Sequence, residues 1–237
     1  MKSKASLLKT TGLFGAILIV ALLIIGAAQQ PTTDERVAAI KQSLQKSMQQ
    51  IRQYQWTETT VLSLKGEEKS RTQNSCAYGA DGKVQKTPVG APPETKEKRG
   101  VRGKIVEKKK EEMSDYMEKA VALVHSYVPP DPAKIQACKD AGKVGVQMLE
   151  PNKRVQVQFR DYHQAGDMLG IELDITKNLL LGYQVSSFIE KPEDTVNLNV
   201  RFATLADETI YPADVVLEAK AKEIKVNVQN SDYRKAN

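Results

Sequence analysis

Residues 188–235 read FIEKPEDTVNLNVRFATLADETIYPADVVLEAKAKEIKVNVQNSDYRK. Within this stretch Val196, Leu198, Val200 and Phe202 alternate with Asn197, Asn199 and Arg201, and Ile224, Val226 and Val228 alternate with Lys225, Asn227 and Gln229. A period of two puts one set of side chains on each face of a strand, so each strand has one apolar and one wet face. Ile210 to Ala219 is a less regular strand between them. Lys191-Pro192-Glu193-Asp194 and Ala206-Asp207 supply the turns. No helical segment separates these strands, so the sheet they form is expected to be antiparallel.

The same pattern continues upstream. Val155, Val157 and Phe159 alternate with Arg154, Gln156, Gln158 and Arg160. Leu169, Ile171, Leu173 and Ile175 alternate with Gly170, Glu172 and Asp174, after a turn at Gly166-Asp167. A further strand is expected near Asn178–Ile189. At the other end of the chain YQWTETTVLSLKG (54–66) is rich in Thr, Val, Leu and aromatic residues and reads as a strand closed by a turn at Lys65-Gly66-Glu67. Strands near Lys69–Tyr78 and Lys83–Val89, with a turn at Asp81-Gly82, complete a meander. About nine strands are thus expected.

Helical spacing occupies the remainder. Val37, Ile40, Leu44, Met48, Ile51 and Tyr54 recur at steps of three and four behind Thr32 and Glu35, the spacing of a capping box. Met113, Tyr116, Met117, Ala120, Val121, Val124 and Tyr127 form a second stripe from about Ile105, stopped by Pro129-Pro130. Asp131-Pro132 opens a short third helix carrying Ile135 and Cys138 and ending at Gly142. A single apolar stripe must bury against something, and the apolar face of the sheet is the surface on offer. The expected fold is therefore α+β, a curved antiparallel sheet with two or three helices across its apolar face.

The N-terminus is different in kind. Lys2, Lys4 and Lys9 precede the apolar run LFGAILIVALLII (13–25), small residues Gly26-Ala27-Ala28 and polar Gln29-Gln30. This order is that of a secretory signal peptide cleaved near Ala28, followed by one domain over 29–237. The alternative is an inner-membrane anchor formed by residues 11–28. A helix from Leu13 to Ala28 would span only ~24 Å of a ~30 Å hydrocarbon core. The formal net charge is +6, and the three leading lysines supply half of it. The balance of +3 suits solubility and gives no reason to expect nucleic acid as a partner. Residues 90–104 (GAPPETKEKRGVRGK) read as a long exposed loop. The basic run from Lys96 to Lys110 is a solvated segment or a contact for anionic headgroups at a membrane surface.

Chemistry is sparse. The two histidines, His125 and His163, belong to no nucleophile-elbow, zincin, P-loop or dinucleotide-binding motif. Asp161, His163 and Asp167 lie close in sequence but read as a polar loop, so no metal, cofactor or enzymatic activity is expected. Cys76 and Cys138 allow a disulfide in an exported protein or two separate apolar side chains.

The segment 188–235 resembles the closing strands of the LolA-like superfamily. The acidic Glu193-Asp194 turn precedes a strand, a second turn leads to a strand with Tyr211-Pro212, and the last strand runs on to an Asn–Tyr feature at Asn230 to Tyr233. The N-terminal helix followed by Tyr54-Gln55-Trp56 agrees. The resemblance implies an incomplete β-barrel whose helices form a lid over a hydrophobic cavity. It also implies a periplasmic protein that binds a lipid, an acyl chain or a lipoprotein. Trp56, Leu62, Met113, Met117, Val121, Val124 and Tyr127 are then candidates for the cavity and lid. Core packing is the competing role for the same residues. The functional alternative is a structural or protein-interaction module of the cell envelope with no ligand cavity.

Overall fold

The computed structural model describes residues 33–90 and 101–236. The signal or anchor assigned to the N-terminus lies outside the described residues, as does most of the expected 90–104 loop. Three helices and ten strands are described: α1 (Thr33–Gln50), β1 (Tyr54–Leu64), β2 (Glu67–Tyr78), β3 (Val84–Pro88), α2 (Val101–His125), α3 (Pro132–Asp140), β4 (Val144–Glu150), β5 (Arg154–Arg160), β6 (Met168–Asp174), β7 (Leu179–Phe188), β8 (Thr195–Thr204), β9 (Ile210–Ala219) and β10 (Ile224–Lys235). All the strands join one antiparallel sheet in the order β3-β2-β1-β10-β9-β8-β7-β6-β5-β4. Its two edge strands, β3 and β4, do not pair, so the sheet stays open.

Local chemistry explains the joints. The β1–β2 hairpin turns on Lys65 (φ 55°) and Gly66 (φ 78°), the two left-handed positions that a tight two-residue hairpin requires. Asp131 caps α3 by accepting a hydrogen bond from Ala133 N at 2.8 Å. Its neighbour Pro132 needs no partner at the first helical position. Helix α2 begins at Val101, a few residues earlier than its apolar stripe indicates.

The core is the apolar face of the sheet with the helices laid on it. Val155, Val157, Phe159, Leu169, Ile171, Leu173, Val185, Val196 and Val200 are buried there with Ile40 of α1, Met117, Ala120 and Val124 of α2, and Ile135 and Cys138 of α3. Helix α1 also fastens to β9 through Ser47, whose hydroxyl accepts from Ile210 N at 2.9 Å and donates to Ser43 O. That bond satisfies a strand N–H at the start of β9.

One strand goes beyond the nine expected. β4 pairs with β5 alone, Val144 opposite Phe159, Val146 opposite Val157 and Met148 opposite Val155. It is short and interrupted by Gly145. Its conformation comes from the neighbour it pairs with, a non-local term that propensity over seven residues does not carry.

Candidate functional site

The region under α2 is the part of the fold that the sequence singled out. Met117, Val124 and Tyr127 are buried there, and Met113, Val121 and, from β1, Leu62 pack half-buried against the same core. Six of the seven candidate residues therefore meet on one apolar face. Trp56 does not join them. Its ring stacks on Tyr233 at 5.6 Å and packs against Tyr78 at 5.7 Å, while Tyr54 and Tyr211 also contact Tyr233. Trp56 Nε1 donates to Asn230 Oδ1 at 3.0 Å, and Asn230 Nδ2 donates to Pro212 O at 2.8 Å. Trp56 is thus the centre of a second, aromatic core near the β1–β2 end of the sheet.

Beside that aromatic core Glu58 is almost wholly buried, and Lys86 Nζ donates to both its carboxylate oxygens, at 2.7 and 2.6 Å. A buried carboxylate needs such a partner, because desolvation opposes its charge. Cys76, fully buried next to them, has its thiol pushed up to about 11, by burial and secondarily by the charge of Glu58. Cys138 is buried on α3, with Sγ 3.7 Å from Arg160 O, and its thiol is also raised, chiefly by burial. Both cysteines are free. The disulfide considered from sequence is not made. Cys76 sits on β2 and Cys138 on a helix over β5, near opposite ends of the strand order. Cys138 instead fills a gap in the apolar core, and Cys76 lies buried beside the Glu58–Lys86 pair.

Helix α2 is fastened at two levels. At its C-terminal end Tyr127 donates to Asp167 and contacts Ser187 Oγ at 2.7 Å. The Asp167 carboxylate also accepts the backbone N–H groups of Tyr162, His163 and Gln164 at 2.6, 3.0 and 2.6 Å. Burial first, and then the bond to Asp167, raise the Tyr127 phenol well above its ordinary value. Asp161 accepts a hydrogen bond from Gly166 N at 2.7 Å and pairs with Lys143 at 3.1 Å, and the Gly166 bond first, then Lys143, holds its carboxyl below the usual range. The acidic and histidine-bearing loop at 161–167 is thus a structural clip whose carboxylates are engaged by backbone N–H groups. Among the described residues no three His, Cys, Asp or Glu side chains converge as metal ligands.

The second fastening lies further toward the N-terminus of α2. Tyr116 donates to Asp194 in the β7–β8 turn, and Lys119 pairs with Glu190 at 3.1 Å. Burial of Tyr116, with the hydrogen bond to Asp194 next, raises its phenol strongly. Besides its apolar packing, this half of α2 is thus held by two side-chain bonds whose partners lie in one turn. Nothing local marks the acidic turn as the counterpart of α2, since that role joins residues 78 apart in the chain.

The apolar face does not end at the helices. Val146 and Met148, directly opposite Val157 and Val155, are 51 % and 53 % exposed. An apolar strip continuous with the core therefore reaches solvent along the β4 edge.

No family model matches the sequence. No curated protein matches it either. In structure it is similar to a LolA superfamily protein from Nitrosomonas europaea, with a TM-score of 0.35 and 8 % identity over 83 % of this chain and 93 % of that one.

Proposed function

We propose that this protein is an exported cell-envelope carrier or sensor that takes a lipid or acyl chain against the apolar face of its sheet, beneath α2. The observation that carries this reading is how that face is closed. Strands do not complete it. A helix bearing Met113 and Met117 covers it, side chains hold that helix, and the strip at Val146 and Met148 leads in from solvent. Methionine suits such a surface because its unbranched, polarizable chain adapts to irregular partners.

The region under α2 is filled by side chains, so a ligand enters by lifting the helix. Exposing Met117 and Val124 costs ~1.5–3 kcal/mol each, and about six buried methylenes at ~0.8 kcal/mol offset it. An acyl chain of ordinary length therefore carries enough apolar surface to drive the exchange. The protein acts by binding and not by catalysis, and it is exported with the mature chain beginning near Gln29.

Titration with a fluorescent fatty acid tests the reading. Saturable binding is expected, and Val146→Glu or Met148→Glu should weaken it without loss of fold, because both side chains are half in solvent already. An intact fold that binds no acyl probe overturns the carrier reading. The exposed β4 edge then favours the alternative, an envelope module that pairs with a protein partner.

A further inference from the structure

The face of the sheet turned away from the helices carries its own cavity, of about 490 Å³, within the ~300–1,000 Å³ typical of small-ligand pockets. Its position follows from the register. Gln156 lies opposite Glu172, Glu172 opposite Gly182, and Gly182 opposite Arg201; one row over, Gly170 lies opposite Gln184 and Gln184 opposite Asn199. These residues alternate with the buried Val157, Ile171, Tyr183 and Val200, so their side chains stand on the opposite face.

Two features indent this face. Gly170 and Gly182 contribute no side chain, and Gly182 could not, since a Cβ there would lie 2.7 Å from Val200 O. The ladder is also irregular on both sides, between Glu172 and Leu173 where Leu181 is left over, and between Arg201 and Phe202. Bulges bend a strand and re-aim its side chains.

The chemistry of the lining is specific. Gln158 donates to Gln147 at 3.0 Å and to Gln156 at 2.8 Å, and Gln156 donates across Gly170 to Gln184 at 2.9 Å. Gln156 and Gln184 of this relay line the cavity, and an amide can both donate and accept. Arg154 and Arg201 border the cavity, but neither is an uncompensated cation. Arg154 bonds Glu172 at 2.9 Å and Glu150 at 2.7 Å, and Arg201 pairs with Asp214. The site does not call for an anion. It presents neutral donors and acceptors, two guanidinium–carboxylate pairs and the apolar Leu181, with Tyr183, Val200 and Phe202 also bordering it.

We propose that this depression binds a segment of neutral oligosaccharide. Sugar hydroxyls donate and accept at once, as the amides and ion pairs do, and the C–H face of a pyranose ring matches Leu181. The inference is independent of the proposed acyl-binding face, which lies on the other side of the sheet.

The test is titration of the mature protein with triacetylchitotriose and with cellotriose, followed by calorimetry and by the side-chain amide signals in ¹⁵N correlation spectra. Saturable binding with a Kd of about 1 mM or tighter is expected for at least one probe. The Gln184→Ala/Asn199→Ala variant should lose about tenfold or more in affinity. Both side chains are exposed, so the fold should persist, with at most a modest fall in melting temperature from the lost Gln156–Gln184 bond. Absence of binding by both probes overturns the proposal. So does binding that the double variant leaves unchanged, or binding of inorganic sulfate in preference to either sugar. Fatty-acid binding is measured in parallel and should not differ between parent and variant.

Discussion

If α2 gates the apolar face, cutting its latch must strengthen ligand binding while weakening the fold. Tyr116→Phe removes one oxygen and keeps the ring that packs against the core, so the perturbation is confined to the bond with Asp194. A hydrogen bond to a charged acceptor contributes ~1.5–3 kcal/mol. Tyr116 and Asp194 are only partly buried, which favours the lower end. The neighbouring Lys119–Glu190 pair is mostly in solvent and adds ~0–1 kcal/mol. Losing about 1.4 kcal/mol from the closed state raises the open population about tenfold, and the apparent Kd for an acyl chain falls by the same factor while the closed form dominates. Fluorescence titration with a fatty-acid probe reads the affinity, and amide exchange along α2 reads the opening. Asp194→Ala should act alike, and the double variant should add little, because both remove one interaction. A melting temperature that falls while affinity and α2 exchange stay unchanged would show that the bond is structural and that α2 is no gate.

Other outcomes follow from the same geometry. Lys86→Met leaves Glu58 buried without its cation and should cost about 3 kcal/mol in denaturant unfolding, with much of it recovered in Lys86→Met/Glu58→Met; equal destabilisation in single and double variants would refute the pairing argument. Hydrogen bonds from Thr209 and from Tyr54, the latter at 2.7 Å, hold the Asp207 carboxyl down at about 2. Its folded value lies below the ordinary ~3.9, so its contribution is present above pH ~4 and is lost as the pH falls toward 2. Asp207→Asn should flatten that part of the acid unfolding curve, and an unaltered curve would count against it. Reducing agent should leave the melting temperature unchanged, and both thiols should react with a thiol reagent only on unfolding; a reduction-sensitive melting temperature would mean that a bridge forms.

Much of the fold was legible in the chain because its signals are local. Val196 to Phe202 and Ile224 to Val228 alternate without interruption, and each forms a central strand with one buried face. Asp131-Pro132 caps α3 as written. The stripe from Met113 to Tyr127 lies on the core. β4 was not legible, because its strand conformation is borrowed from β5. Among the candidate residues, the helical ones came together because spacing along one helix assigns a common face, while Leu62 of β1 joins them only through the packing of sheet on helix. Trp56 stands apart because its ring neighbours Tyr78 and Tyr233 come from two other strands, and Tyr211 of a third packs on Tyr233.

By itself the sequence determined the alternation of each strand, the stripe of each helix and hence the α+β class, since periods of 2 and 3.6 are properties of neighbouring residues. Only the tertiary structure decided what each wet or apolar side chain meets. Asp194 became the partner of Tyr116, Glu58 that of Lys86, and Gly182 part of the lining of a cavity on the polar face. Each of these juxtapositions joins residues far apart in the chain. Strand register and bulge position set them, and these emerge only when the whole sheet closes its hydrogen bonds at once.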